Sequence, residues 1–246
     1  MKVVLIIQAR MGSTRLPGKS MLDLAGAPLI ARLIERVKRA GGLEAIVLAT
    51  TVKTQDDVLK RIADDYGIFS FRGSENDLVD RYYQAAKVFK ADIIVRLPGD
   101  NPVAEPGEID RIIEYHRKGL SDFSSNIMQV DNNGYPDGIG AEVFNFEVLE
   151  DVWRRGGNPS QREHLATNFY DYFSQKAVYP YRYRIGTVEC PQSFRRPDLK
   201  LDVNTAEEYE FMRNLYEYLY SRNPQFHITD IIKWYDEIFI KQSLRR

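Results

Sequence analysis

The chain has 246 residues, 43% of them hydrophobic and 12% aromatic, which is enough apolar material for a sizeable core. Its 34 Lys and Arg residues almost balance its 35 Asp and Glu residues, which argues against a protein that binds nucleic acid over a broad basic surface. The single cysteine, Cys190, excludes an intramolecular disulfide and a zinc site built from several cysteines. Since no apolar run approaches the ~20 residues of a membrane span, we expect a cytoplasmic protein without a membrane partner.

Strands and helices are predicted to alternate in the first half of the chain. Residues 3–7 form a continuous apolar run, as expected of a strand buried on both faces of a parallel sheet. Thr54 and Ser74, each with an acid three places later, are expected to cap the second and third helices. The resulting βαβαβα order predicts right-handed crossovers and a mostly parallel sheet. Further strands are predicted at 45–49, 68–71 and 93–97, and helices at 28–40, 55–66 and 76–90.

The pattern changes after about residue 122. Residues 122–144 are rich in Asn, Asp and Gly and end in a strand-like segment at 140–144. Aromatic and arginine side chains alternate in residues 177–190, which predicts a hairpin or an edge strand. Helix is predicted again from Thr205, which stands at capping-box spacing from Glu208. Because no internal repeat is found, the sequence predicts a single domain over 1–246 with an insertion at about 122–190.

A loop rich in glycine and cations, residues 8–19, directly follows the first strand. In an open α/β sheet, ligands bind beyond the carboxyl ends of the strands. Glycines let backbone N–H groups approach an anion, and cations without a neighbouring acid offset its charge. The loop therefore predicts a triphosphate site, the alternative being a solvated loop whose charge is incidental. The residues behind this prediction are Arg10, Gly12, Ser13, Thr14, Arg15, Gly18 and Lys19.

The spacing of the loop differs from that of the commoner phosphate loops. Gly12 and Gly18 stand one residue too far apart for a Walker A loop, and no Gly-x-Gly-x-x-Gly fingerprint occurs. The loop instead resembles the N-terminal motif of the cytidylyltransferase family, which includes 3-deoxy-manno-octulosonate and acylneuraminate cytidylyltransferases. Within that family it is most similar to spore coat polysaccharide biosynthesis protein F-like proteins. Four further motifs match in order along the chain, at 71–83, 95–102, 135–142 and 201–208.

The resemblance covers nearly the whole chain and implies both a fold and a reaction. The implied fold is the three-layer α/β/α nucleotide-diphospho-sugar transferase (Rossmann-like) fold, with a mostly parallel sheet and a small inserted hairpin subdomain. The implied activity is a Mg²⁺-dependent transfer of CMP from CTP to a sugar or sugar-like acid, with release of pyrophosphate, in surface polysaccharide biosynthesis. The family also pairs subunits through its inserted segment, so a homodimer is expected, and Tyr and Arg are dense there.

The resemblance assigns the nucleotide to the first loop and to the motif at 71–83. Positioning and electrostatic stabilisation of the phosphates carry most of the rate in such reactions, so Arg10, Arg15, Lys19 and Asp100 are the expected catalytic residues. Asp77 and Arg81 are also one helical turn apart, and a simple i,i+4 ion pair is an equal alternative for them. The expected nucleotide-binding residues are Gln8, Ala9, Arg10, Gly12, Ser13, Arg15, Lys19, Arg72, Asp77 and Arg81.

The expected metal ligands lie in two separate motifs. Asp100 follows the predicted strand at 93–97, in a tight turn, and the acid at this position binds Mg²⁺ in the family. The second acid of the family is replaced here by Asn204, with Asp202 two residues earlier and on the same face of an extended segment. We therefore expect Asp202 to be the second ligand, with Asn204 assisting. A cap at the start of the next helix is an equal alternative for Asn204.

The acceptor side of the site is assigned, by resemblance, to the motif at 135–142 and to residues 163–164. Acids suit the hydroxyls of a polyol, and an anionic acceptor would be bound by Arg162, Arg195 or Arg196. His164 is either a proton acceptor or a hydrogen-bonding wall residue. A helix predicted at 161–173 offers another explanation for the charges near its start. The expected acceptor-binding residues are Tyr135, Asp137, Glu142, Glu163 and His164.

Two other functions stay open from the sequence. One is a nucleotidyltransferase that joins a different nucleotide to a sugar phosphate, because folds of this kind support several such reactions. The other is a nucleotide-binding regulatory module without activity, in which Asn204 marks a lost metal ligand. The residues do not identify the acceptor.

Overall fold

Strands and helices alternate along the chain in the computed structural model, which describes residues 1–127 and 129–240. The strands are β1 (Val3–Gln8), β2 (Asp23–Leu24), β3 (Ala27–Pro28), β4 (Ala45–Thr51), β5 (Phe69–Gly73), β6 (Ile93–Pro98), β7 (Phe123–Ser125), β8 (Glu142–Asn145), β9 (Tyr170–Asp171), β10 (Lys176–Ala177) and β11 (Ile185–Gly186). The α-helices are α1 (Leu29–Val37), α2 (Asp57–Asp65), α3 (Leu78–Val88), α4 (Pro106–Arg117), α5 (Phe146–Arg155), α6 (Pro159–Glu163), α7 (Ala206–Tyr220) and α8 (Ile228–Trp234). Short 3₁₀ or π turns are formed by Lys19–Met21, Thr54–Asp56, Leu165–Asn168, Gln192–Phe194 and Tyr235–Phe239.

The central sheet has seven strands in the order β11-β7-β8-β6-β1-β4-β5. All of its pairings are parallel except those of β8, which runs antiparallel to both β6 and β7. Helices α3 and α5 cover one face and α1, α2 and α4 the other, which explains why 3–7 are buried throughout. The predicted three-layer α/β/α architecture with a mostly parallel sheet is confirmed.

Two of the predicted helix caps are wrong. Helix α3 is capped by Asp77, whose carboxylate accepts the Asp80 N–H at 2.8 Å, whereas Ser74 accepts the Asp77 N–H one turn earlier. Thr54 begins a 3₁₀ turn, and α2 follows Asp56, whose carboxylate bonds elsewhere. The capping box formed by Thr205 and Glu208 at the start of α7 is confirmed.

The segment 122–190 contributes β7, β8 and β11 to the central sheet. Of the two alternatives predicted for 177–190, the edge strand is confirmed, since β11 pairs in parallel with β7 at the edge of the sheet. The hairpin of this segment is β9–β10, which begins earlier in the chain. The predicted helix at 161–173 is wrong, since α6 ends at Glu163. After α6, the side-chain amide of Asn168 donates to the carbonyls of Gln161 and Leu165. These hydrogen bonds compete with the backbone hydrogen bonds that would continue the helix.

The C-terminal helices α7 and α8 pack on a separate apolar cluster beside the sheet. This packing brings the segment before α7 against the turn after β6, where the Val203 N–H donates to the Asp100 carbonyl at 2.9 Å. The hydroxyl of Tyr216, on α7, donates to the Pro102 carbonyl in the same turn. Two motifs 100 residues apart in sequence are thereby held together. Within the described part of the chain, none of the helices combines the length and apolarity needed to cross a membrane.

Candidate active site

A cleft of about 700 Å³ lies at the carboxyl edge of the central strands. Loop 8–19 forms one wall, as predicted, and the turn after β6 forms the floor beside it. Gly99 permits this arrangement, because its N–H donates to the Gln8 carbonyl at 2.8 Å and a Cβ would stand only 2.6 Å from that oxygen. The cleft brings together predicted residues from both halves of the site: Gln8, Ala9, Arg10, Ser13, Arg15, Lys19, Arg81, Asp100, Asp137, Glu142, Glu163, His164 and Asp202.

The wall formed by loop 8–19 is anchored by a residue that sequence reasoning missed. Asp56, which is fully buried, accepts the Met11 N–H at 2.8 Å and the hydroxyl of Thr51. Gly12 lies in this anchored part, where a Cβ would come within 3.2 Å of the Gln55 amide. The sequence did contain a signal for Asp56, since it is an acid that follows β4. Because β4 is the parallel neighbour of β1, the two strands end at the same edge of the sheet, and an acid after β4 can reach the loop after β1.

Lys19 makes a dense set of contacts on the floor of the cleft. Its Nζ donates to Asp100 Oδ2 at 2.5 Å, to the Val203 carbonyl at 3.0 Å and to Asn204 Oδ1 at 3.1 Å. The side chains of Lys19 and Asp100 are only 14% and 22% exposed, so water screens this ion pair weakly. The lysine expected to bind phosphate and the aspartate expected to bind metal are therefore in direct contact.

Asn204 connects the cations of the first loop to Asp202. Its Oδ1 accepts from Arg15 Nη2 at 2.7 Å and from Lys19, while its Nδ2 donates to Asp202. The alternative that Asn204 caps a helix is wrong, because Thr205 is the N-cap of α7. Asn204 thus holds three charged side chains at fixed positions.

Three carboxylates, from Asp100, Asp137 and Asp202, face one another across the floor. Burial, and then the charges of Asp202 and Asp100, raise the pKa of Asp137 to about 7. Burial and the charges of Asp100 and Glu208 likewise raise the pKa of Asp202. These carboxylates therefore repel one another, and a cation near them would relieve the repulsion.

The residues present fit Mg²⁺ as the expected cofactor. Among residues 1–127 and 129–240, no three His, Cys, Asp or Glu side chains form a preorganised metal cluster. Magnesium does not need one, because it takes one or two carboxylates and fills its octahedron with water and phosphate oxygens. Asp100 and Asp202 are sufficient to supply such a pair, whereas Asn204 Oδ1 is already shared by two cations.

Arg10 and Arg81 add further positive charge at the wall formed by loop 8–19. Arg10 Nη2 pairs with Glu163 Oε1 at 3.1 Å across the cleft, and both side chains are partly exposed. Arg81 is buried and donates to the Ser74 carbonyl, and its Nε finds no acceptor among the described residues. Burial, together with the charge of Arg10, lowers the pKa of Arg81. A bound anion would stabilise both arginines.

The part of the cleft beside β8 contains a buried network that the sequence did not reveal. Arg96 on β6 pairs with Glu142 on β8, its cross-strand neighbour, and its Nε donates to Gln8 Oε1 at 3.1 Å. The hydroxyl of Tyr172 donates to the other Glu142 oxygen at 2.7 Å. Burial and the Glu142 charge raise the pKa of Tyr172 well above its usual range. Glu142, predicted to bind the acceptor, has both oxygens engaged and positions Arg96 and Tyr172.

Five predicted residues do not line the cleft: Gly12 and Asn204, which contact its wall and floor as described above, and Arg72, Asp77 and Tyr135. Arg72 joins β5 to the segment after β4, donating to the Thr51 and Lys53 carbonyls and to Asp57. Asp77 pairs with Arg162, and the alternative Asp77–Arg81 ion pair is not formed. Tyr135 is fully buried, with its hydroxyl between Glu108 and Arg111.

The arginines suggested for an anionic acceptor are also directed elsewhere. Arg162 pairs with Asp77, and Arg195 lies 4.0 Å from Glu189. Arg196 pairs with Asp198 and Asp236. The cations that do line the cleft are those of loop 8–19 together with Arg81 and Arg96.

Comparison with known proteins agrees with this geometry. The family model for cytidylyltransferases matches residues 4–233, nearly the whole chain. The chain belongs to the cytidylyltransferase family. It is therefore a CTP-dependent nucleotidyltransferase.

Individual members of the cytidylyltransferase family match most of the chain. The spore coat polysaccharide biosynthesis protein SpsF of Bacillus subtilis is 34% identical over 220 residues, which cover 87% of this chain and 86% of SpsF. A solved cytidylyltransferase from Leptospira borgpetersenii superposes with a TM-score of 0.84 and 31% identity, covering 96% of this chain and 94% of its own. CMP:2-keto-3-deoxy-manno-octonic acid synthetase, solved in complex with CTP, shares the fold at a TM-score of 0.66 and 21% identity, covering 87% and 98%.

The raised pKa of Asp137 predicts a pH-dependent stability in the absence of metal. The folded protein holds a proton on Asp137 up to about pH 7, whereas the unfolded chain releases it near 3.8. Stability is therefore lost as the pH rises through this interval. We expect the free energy of unfolding in EDTA to fall by ~2 kcal/mol between about pH 5 and 8, discounted for partial exposure.

Urea titrations at several pH values measure this fall. Asp137→Asn should remove it, because the amide does not ionise. Asp64→Asn, a substitution of an exposed acid on α2, serves as the control and should keep the wild-type slope. A wild-type slope in Asp137→Asn would contradict the prediction.

Proposed function

We propose that this cytidylyltransferase transfers CMP from CTP to an oxygen of a sugar or sugar-like acid, with release of pyrophosphate and with Mg²⁺ as cofactor. The observation that carries the proposal is the convergence of Arg10, Arg15 and Lys19 with Asp100 and Asp202 in one cleft. Three cations suit the triphosphate, and two acids suit the cofactor.

The nucleotide half of the reaction is performed by loop 8–19 and its neighbours. Arg10, Arg15 and Lys19 would bind the β- and γ-phosphates and stabilise the pyrophosphate as it leaves. Arg81, buried behind them and with an Nε that has no acceptor in the described part of the chain, adds a positive charge close to Arg10. Asp56 keeps the loop backbone in place, so that these groups need little rearrangement during the reaction.

Asp100 and Asp202 are the proposed cofactor ligands. When bound, Mg²⁺ supplies positive charge that offsets the α-phosphate and the attacking acceptor oxygen. Asn204 contributes by holding Asp202 through its Nδ2 and Arg15 through its Oδ1, and it thus fixes the distance between the acidic and basic parts of the cleft.

The acceptor half is formed by Asp137, Glu163 and His164, which line the cleft opposite the wall formed by loop 8–19. Their side chains can accept hydrogen bonds from hydroxyl groups of a sugar and orient one oxygen toward the α-phosphorus. Arg96 and Tyr172, held by Glu142, would contact the acceptor from below.

The relatives support the choice of substrates and pathway. SpsF is named for spore coat polysaccharide biosynthesis, and the synthetase that shares the fold was solved with CTP and is named for a keto sugar acid. Together with a single, buried cysteine, they favour a cytoplasmic enzyme that activates a sugar or sugar acid for a surface polysaccharide.

The reaction can be tested by pyrophosphate release with CTP, Mg²⁺ and a panel of sugars and sugar acids. We expect release with CTP to exceed release with ATP or GTP by at least ~10-fold. Arg15→Ala should lower kcat/KM by ~100-fold, because it removes one preorganised charge from the phosphates. Arg117→Ala, a change to a surface arginine on α4, is the control and should leave turnover unchanged.

Equal rates with all four triphosphates would contradict the cytidylyl assignment. Pyrophosphate release with none of them, across the whole panel, would contradict the transferase itself.

The metal ligands can be ranked by substitution. Asp100→Asn should nearly abolish turnover, and Asp202→Asn should lower kcat by at least ~100-fold, because each removes a charge that offsets the cofactor. Asn204→Ala should cost less, and Asn204→Asp should be tolerated or should improve metal affinity. Pyrophosphate release against Mg²⁺ concentration measures these effects. Full activity in Asp202→Asn with loss in Asn204→Ala would show that the wrong ligand was chosen.

We also propose that the protein is a homodimer that pairs through the segment 170–184. Phe173 and Tyr181 are fully exposed there, which is unusual for large apolar side chains. Light scattering at tens of micromolar should give the mass of a dimer, and Phe173→Ser with Tyr181→Ser should shift it toward the monomer. Val88→Ser, an exposed change on α3, is the control. A monomeric wild-type mass would refute the proposal.

A further inference from the structure

Lys19 is paired with Asp100, one of the two proposed cofactor ligands. An ammonium has three N–H donors, and those of Lys19 are all used, by Asp100, the Val203 carbonyl and Asn204. Of these three partners, Asp100 is a proposed cofactor ligand, and Asn204 holds the other proposed ligand, Asp202, through its Nδ2. A divalent cation bound by Asp100 and Asp202 would therefore meet a monovalent cation that the chain itself supplies.

A divalent cation and the Lys19 ammonium cannot both lie against Asp100. Both would lie within a few Å of Asp100 Oδ2, in a part of the cleft where the lysine side chain is only 14% exposed and repulsion is weakly screened. Displacing Lys19 without providing another anion would leave a mostly buried charge without a partner, which is costly. Metal alone should therefore bind poorly.

A triphosphate removes this obstacle. Lys19 belongs to the same loop as Arg10 and Arg15, so phosphates bound to those arginines lie within reach of its flexible four-carbon stem. Within residues 1–127 and 129–240, Asp100 is the single carboxylate that contacts the ammonium, because Asn204 contributes a neutral oxygen. Several phosphate charges can outcompete one carboxylate.

We propose that Lys19 is an internal cation that closes the metal site, and that a triphosphate opens the site by drawing Lys19 onto its phosphates. Metal and nucleotide then bind with positive coupling, each increasing the affinity for the other by the same factor. The inference rests on the proposed function for the identity of the two ligands, but its test needs no turnover.

Mn²⁺ serves as the probe, and free Mn²⁺ is measured by electron paramagnetic resonance without nucleotide. Lys19→Met keeps the length of the side chain and removes its charge, so it should bind Mn²⁺ at least ~10-fold more tightly than the wild type. Lys200→Met is the matched control. Lys200 is exposed and acts on Asp137 and Asp202 only through space, so its loss should change the affinity by less than ~3-fold.

A second measurement uses the wild-type protein alone and does not depend on any variant folding. Mn²⁺ is titrated with and without a CTP analogue whose α,β-bridge is a methylene group and which is therefore not cleaved. The analogue should tighten Mn²⁺ binding to the wild type by at least ~10-fold, and Lys19→Met should show a smaller increase.

Equal Mn²⁺ affinity in the wild type and in Lys19→Met without nucleotide would overturn the proposal. A wild type that binds Mn²⁺ as tightly alone as with the analogue would overturn it as well. If Lys19→Met tightens Mn²⁺ binding but no pyrophosphate is released with any acceptor, the closure by Lys19 is supported and only the proposed reaction fails.

Discussion

Parallel pairing of β1 with both β4 and β6 places the ends of three strands at one level, since Gln8 is in register with Ala49 and with Pro98. The loops that follow these strands must therefore leave the sheet side by side. Asp56, after β4, holds the first loop, and Gly99, after β6, approaches the Gln8 carbonyl closely. A cleft with a basic wall and an acidic floor results from this alignment rather than from any single residue.

The ion pairs of the cleft differ in exposure, and this difference separates permanent from exchangeable contacts. Arg96–Glu142 is almost completely buried, and its partners come from adjacent strands, so it belongs to the framework. Arg10–Glu163 is partly exposed on both sides and contributes little to stability. Lys19–Asp100 is intermediate. The cations expected to contact phosphates are thus those whose present partners are most easily replaced.

The far end of the chain completes the site because it has its own apolar core. Helices α7 and α8 bury a cluster that includes Met212 and Trp234, and this anchors the extended segment carrying Asp202 and Asn204. Hydrogen bonds from Val203 and Tyr216 to the turn after β6 fix its position relative to Asp100. Loss of that packing would therefore separate Asp202 from Asp100.

The sequence by itself determined the fold class and the place of the first loop. These features depend on local signals: a continuous apolar strand, helical spacing of apolar residues, and glycines and cations directly after a strand. The positions of β4 to β6 followed for the same reason, with errors of only a few residues. The assignment of Asp100, Asp137 and Asp202 to one site was implied by the resemblance to the cytidylyltransferase family.

Only the tertiary structure decided which polar side chains form hydrogen bonds and ion pairs with one another. Glu142 and Tyr135 carry the right chemistry for an acceptor site, yet Arg96 and Glu108 engage them, and those partners lie 46 and 27 residues away in sequence. In the sequence, Asp56 looks like a residue that caps a helix. In the structure, its carboxylate instead accepts hydrogen bonds from the Met11 N–H and the Thr51 hydroxyl. A side chain's partners depend on distances between segments remote in the chain, and residue type and spacing do not contain those distances.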